Sequence, residues 1–153
     1  MTDDVLFLSG EQVARLLDVE AAIASQPAAF TALGSGAAGP PARIMHPSRF
    51  DDSVVLAHVS RLSADSGAAA RFGSVDPGNA ASGPPTVHAG VTVPAPETGR
   101  PVAVLDGIAV TTLRTAATSA AAVEAQPPHL VALGIQEMAA ARAVVRAAQG
   151  ESA

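Results

Sequence analysis

Nine basic side chains occur in this 153-residue chain, and all nine are arginine. Lysine, cysteine, tyrosine and tryptophan are absent. Arginine stays charged at every working pH, so it can pair with a carboxylate or phosphate but cannot carry protons. Schiff-base chemistry needs a lysine amine, and thiol nucleophiles and metal–thiolate sites need cysteine, so these classes are excluded. What remains is arginine, four histidines, fourteen acidic side chains and the hydroxyls of serine and threonine. His46, His58, His88 and His129 are the groups that titrate near neutral pH. Their spacing matches neither H-x-x-x-H nor H-E-x-x-H, so no metal site is expected.

One further motif looks chemical. Gly34-Ser35-Gly36-Ala37-Ala38-Gly39 matches G-x-G-x-x-G letter for letter. A dinucleotide site needs a strand before this motif and a helix opening after it, because the helix N-terminus holds the pyrophosphate. Here a helical stretch precedes it and Pro40-Pro41 follows, so a loop is expected and no cofactor.

The elements that would position these residues follow from local signals. Ser9-Gly10-Glu11-Gln12 reads as a capping box, with Val13, Leu16 and Leu17 at helical spacing behind it. Asp18 caps a second helix through Phe30, which Pro27 should kink or break. Short β-prone pieces then alternate with turns at residues 43–46, 53–60, 69–75, 86–93 and 101–105. Asp76-Pro77-Gly78-Asn79 and Pro96-Glu97-Thr98-Gly99 are turn sequences, and the second reads as a hairpin loop. An alanine-rich helix over 111–125 is stopped by Gln126-Pro127-Pro128, and a last helix covers about 135–148. Its buried face would use Ile135, Met138, Ala139, Val144 and Val145. The fold class is therefore α+β: an antiparallel meander flanked by N-terminal and C-terminal helices, in one domain over residues 1–153.

Composition narrows the partners. The net charge of −5 and the near absence of aromatic residues argue against nucleic acid and anionic membranes. No apolar run is long enough to span a bilayer, and the acidic start is unlike a signal peptide, so a cytoplasmic protein is expected. Alanine supplies much of the 48% apolar content, so the core has little volume per residue. Burying one face against a second copy would help such a core.

Several segments are more specific than this. They are Leu8-Ser9-Gly10-Glu11-Gln12-Val13 and Pro40-Pro41-Ala42-Arg43 at the start, Pro77-Gly78-Asn79, and Glu97-Thr98-Gly99-Arg100-Pro101-Val102-Ala103-Val104-Leu105-Asp106-Gly107. Thr111-Thr112-Leu113-Arg114-Thr115-Ala116-Ala117-Thr118-Ser119-Ala120 follows, and later Leu133-Gly134-Ile135-Gln136-Glu137-Met138. The set resembles the ornithine cyclodeaminase/μ-crystallin family. Residues 1–126 resemble its substrate and dimerisation half, and residues 129–153 its returning C-terminal helix. In the family a Rossmann domain sits between these two parts. Here Gln126-Pro127-Pro128 occupies that gap, so the resemblance implies a member without its NAD-binding domain.

The resemblance also implies a site. Arg43 and Arg114 fall on positions that pair with the substrate carboxylate, and Arg71 falls where relatives keep a lysine. Arg43, Arg71 and Arg114 are the expected substrate-binding residues; the alternative is that they pair with acidic residues and hold the fold together. His88, beside the P-G-N turn, and Asp106 are the candidate catalytic residues. His88 is otherwise a hydrogen-bonded strand residue, and Asp106 otherwise a cap of its turn or of the following helix. His46 and His58 are open to the same role as His88.

Three functions compete. One is a cofactor-independent enzyme of the lyase, cyclase or isomerase type, acting on a small carboxylated or imine-type molecule in specialised metabolism. The second is a catalytically dead ligand-binding module. The third is a dimerisation module, as a homodimer or with a full-length paralogue.

Overall fold

The computed structural model describes residues 4–39, 42–63, 65–125 and 134–150. Pro40-Pro41, Gln126-Pro127-Pro128 and His129 lie outside these residues, as do the side chains of Ile135, Met138 and Ala139. A short strand opens the chain, β1 (Leu6–Leu8). The capping box follows and starts α1 (Gly10–Leu16): the Ser9 hydroxyl accepts from the Gln12 N–H at 3.4 Å, and Gln12 Oε1 accepts from the Ser9 N–H at 2.9 Å. Asp18 Oδ1 accepts from the Ala21 N–H at 2.7 Å and caps α2 (Val19–Gly34).

Of the two outcomes expected at Pro27, a kink or a break, the break does not occur: α2 runs on through it. Its ring is exposed, so no neighbouring element is pushed away. One turn earlier the Ser25 hydroxyl and Gln26 Nε2 both donate to the Ala22 carbonyl, at 2.7 and 3.2 Å. Ala22, Gln26 and Ala29 are buried, which anchors both halves of the helix by packing that propensity cannot foresee.

The meander then runs β2 (Ala42–Pro47), β3 (Val54–Ser63), β4 (Gly67–Val75), β5 (Val87–Pro94) and β6 (Pro101–Asp106). A one-turn helix, α3 (Asn79–Ser82), interrupts the connection after β4. There Asp76 Oδ1 accepts from the Gly78 N–H and Asn79 Nδ2 donates to the Pro85 carbonyl, each at 3.0 Å. Gly99, at φ +71°, closes the β5–β6 hairpin as its turn sequence requires. The sheet order is β1-β6-β5-β4-β3-β2, antiparallel throughout except for the parallel pair β1–β6.

Two long helices complete the chain, α4 (Gly107–Ala125) and α5 (Gly134–Ala148). α4 starts earlier than its apolar pattern suggests, because Asp106 Oδ1 accepts from the Ala109 N–H at 2.7 Å and caps it. All four long helical segments cover one face of the sheet. Val13, Val110, Val144 and Val145 from the helices, with Leu17 just after α1, meet Ala69, Val91, Val93, Ala103 and Leu105 from the strands. The opposite face is open and carries Phe7, Ile44, Val59 and Phe72, all exposed. The α+β meander flanked by helices is the architecture expected from the sequence.

Candidate functional site

Residues paired across strands share a face, so the register decides which side chains can meet. Leu8 pairs with Leu105, Leu105 with Val91, Val91 with Arg71, Arg71 with His58, and His58 with Arg43. These six residues form one row across the helix-covered face. Leu105 and Val91 are buried, Arg71 and His58 half-buried, and Arg43 exposed. The row thus leads from the core to an open end, and its open half is Arg71, His58 and Arg43. Neighbouring strand partners lie about 5 Å apart, which places the Arg43 and Arg71 backbones roughly 10 Å apart with His58 between them.

Arg114 reaches this layer from above. It is 8% exposed on α4, which packs on β5. The Thr118 hydroxyl lies 2.7 Å from the Arg114 carbonyl and 2.9 Å from Gln26 Oε1, so it ties this stretch of α4 to α2. The structure therefore brings three arginines to the helix side of the sheet, two of them in one row.

The histidines divide. His46 pairs with Val55, Val55 with Ser74, and Ser74 with His88. That row lies on the opposite, open face. His88, the candidate beside the P-G-N turn, is separated from the arginines by the sheet itself, because it stands an odd number of residues from Val91 on β5. Of the three strand histidines only His58 stands with the arginines. Asp106 lies at the junction of β6 and α4, with one carboxylate oxygen engaged by the Ala109 N–H. A carboxylate at a helix N-terminus is favoured by the helix dipole, and this accounts for Asp106 without catalysis.

Gly107 follows and is fixed by close approach. A Cβ there would stand 2.8 to 2.9 Å from Ala89 Cβ, carbonyl carbon and oxygen. The D-G pair thus sets where α4, and with it Arg114, leaves the sheet. The titration of Asp51 is perturbed, in the β2–β3 turn away from the row. Hydrogen bonds from the Ser53 hydroxyl, the Ser53 N–H and Ser48 hold the Asp51 carboxyl below its ordinary value.

The described residues do not build a dinucleotide cradle. Gly34 ends α2, Gly36 follows at φ +74°, and the Ala38 N–H donates to the Ala32 carbonyl. The glycine motif is therefore a helix C-terminal loop. Carbonyls and the negative end of the helix dipole lie there, and both repel a pyrophosphate. Among the described residues no three His, Cys, Asp or Glu side chains stand close enough to hold a metal ion. Nor is any helix among them long and apolar enough to cross a membrane.

The sequence profile of the ornithine cyclodeaminase/mu-crystallin family matches residues 3–147. The chain belongs to this family. Its fold is similar to that of Δ1-pyrroline-2-carboxylate reductase from Thermococcus litoralis, solved with NADH and L-proline. The TM-score is 0.70 and the identity 30%, over 75% of this chain and 36% of that one. It is also similar to an archaeal alanine dehydrogenase dimer with bound NAD (TM-score 0.71, 28% identity, 93% of this chain and 45% of that one). The iminosuccinate reductase of Paracoccus denitrificans, solved with NAD+, shares the fold at TM-score 0.73 and 22% identity, over 91% and 46% of the two chains. This chain thus spans less than half the length of these solved relatives. No curated protein sequence matches it.

Proposed function

We propose that this chain is a cytoplasmic, nicotinamide-independent enzyme of the lyase, cyclase or isomerase type, acting on a small carboxylated or imine-type molecule. The observation that carries the reading is the row Arg71–His58–Arg43, with Arg114 on the helix layer above it. Guanidinium groups bind a substrate carboxylate in bidentate geometry. They also stabilise the negative charge that develops when a neighbouring carbon loses its proton. His58 takes that proton and returns it at a second position on the substrate. No electrons leave the substrate, so the step needs no redox partner.

The join between α4 and α5 supports this choice. Eight residues, 126–133, connect the two helices. A βαβ unit alone takes roughly 30. That join is the place where the family resemblance puts the nucleotide domain, and the glycine loop elsewhere does not replace it.

Thermal melting with a panel of amino acids, 2-keto acids, cyclic imines and NAD(H) tests the reading. A carboxylate ligand should raise the melting temperature, and Arg114→Ala should remove that ligand-induced rise. Stabilisation by NAD(H) would overturn the nicotinamide-independent reading.

The open face of the sheet favours a second reading, an inactive binding or dimerisation module. Phe7, Ile44 and Phe72 stand 74, 68 and 64% exposed there. An apolar face of this kind suits burial against a second copy through a two-fold interface. The archaeal alanine dehydrogenase is itself described as a dimer. A homodimer is the assembly we expect in either reading, with a full-length paralogue as the alternative partner.

A further inference from the structure

A pocket lies away from the arginine row. It is a hollow of about 480 Å³, open to solvent on one side, walled by Leu16, Ala24 and Ala28 from α1 and α2, Leu62 from β3, and Ala143 from α5. That volume and mostly apolar wall are typical of a small-molecule site. Leu62 and Ser63 lie four and five residues beyond His58 on β3, so the pocket is roughly 15 Å from the row along the strand.

The polar lining has two signs. Arg142 and Arg146 enter from one side, one turn apart on α5, and Asp65 enters from the β3–β4 turn. Among the described residues neither Asp65 nor Arg146 makes an ion pair or a side-chain hydrogen bond. Asp65 and Arg146 therefore line one pocket without closing on each other. The space between them suits a ligand head that carries both charges itself. The wall of alanine and leucine side chains suits an aliphatic tail of a few carbons.

We propose that this pocket binds an amino acid zwitterion with an aliphatic side chain. The carboxylate meets Arg146 and Arg142, the ammonium group meets Asp65, and the side chain lies against Ala24, Ala28 and Leu62. A purely aliphatic acid leaves Asp65 facing an uncharged carbon. A purely aliphatic amine leaves Arg146 without an anion. The zwitterion satisfies both sides, which gives specificity as well as affinity. This site stands independently of the catalytic reading above, because none of its residues belongs to the row.

Titration calorimetry on the full chain tests it with L-leucine, 4-methylpentanoate, which lacks the amine, and 3-methylbutylamine, which lacks the carboxylate. L-leucine should bind at least tenfold more tightly than either analogue. Ala24→Phe fills the pocket from an exposed helix position and should weaken leucine at least tenfold, as should Arg146→Glu. Asp65→Asn should bring leucine to the affinity of 4-methylpentanoate. Arg43→Ala should leave leucine unchanged. Absence of leucine binding, or equal binding of all three compounds, overturns the proposal. So does leucine binding that survives Ala24→Phe but is lost in Arg43→Ala, which would place the ligand at the row.

Discussion

Replacing Gly107 by alanine asks how tightly the sheet holds the helix that carries Arg114. The added methyl would sit 2.8 Å from Ala89 Cβ and 2.9 Å from the Ala89 carbonyl carbon and oxygen. Unstrained carbon contacts lie near 3.5 to 4.0 Å, so the overlap is roughly 0.6 to 1.2 Å. Two of the three atoms are backbone of a central strand and cannot rotate away. Overpacking of this kind costs about 1 to 3 kcal/mol. Better helix propensity returns at most about 1 kcal/mol, and less at a first helical position. For a chain of this size each kcal/mol moves the melting temperature by about 2 to 4 °C. Gly107→Ala should therefore melt several degrees below the parent at equal protein concentration. Gly39→Ala is the control, since nothing lies within 4 Å of its added methyl, and surface changes of this type stay within about 0.5 kcal/mol. Calorimetric melting of the two variants side by side decides the matter. Coincident transitions would refute the close approach of α4 to β5 and the positioning of Arg114 built on it.

Other outcomes follow from the same geometry. His58→Ala should leave carboxylate affinity within about threefold and lower turnover by about 100-fold or more, while His88→Ala, on the other face, should change neither; steady-state kinetics beside ligand-induced melting shifts check both. Arg71→Lys should weaken a carboxylate ligand about tenfold in calorimetry, because an ammonium group lacks the planar fork. Phe72→Asp on the open face should convert the expected homodimer to monomer by light scattering, with the helix-side site intact. Thr118→Val removes the hydroxyl between Gln26 and the Arg114 carbonyl inside the helix layer, and should cost about 1 to 3 kcal/mol in urea unfolding.

Local chemistry was readable where it is complete within a few residues. The Ser9 and Asp18 caps, the Gly99 hairpin and the five long strands all rest on such signals. β1 escaped because three residues carry no period and its partner lies at the far end of the meander. The start of α4 escaped because Gly107 looks like a turn residue until Ala89 is packed against it. The site was legible in its residue types but not in its sides. Arg43, His58 and Arg71 share a face only through the lengths of the turns between them, and the bulge between Arg61 and Ser63 shows how one residue shifts that count. The face on which His88 lies is hidden for the same reason: a strand reverses face at each residue, and proximity along the chain to the P-G-N turn says nothing of side.

The parallel pairing of β1 with β6 also sets an order of events during synthesis. β1 leaves the ribosome first, but its partner appears only after β2 to β5, about 5 to 20 seconds later at ordinary elongation rates. Until then Leu6 and Leu8 have no strand to join. The meander β2–β5 pairs each strand with the one just made, so it can zip as it emerges. Docking of β1 is the step that closes the longest loop, and it should limit the folding rate more than any other strand. A chain rearranged so that β1 follows α5 would lose that delay in one direction and acquire it in the other, which makes circular permutation a direct probe of how this sheet is assembled.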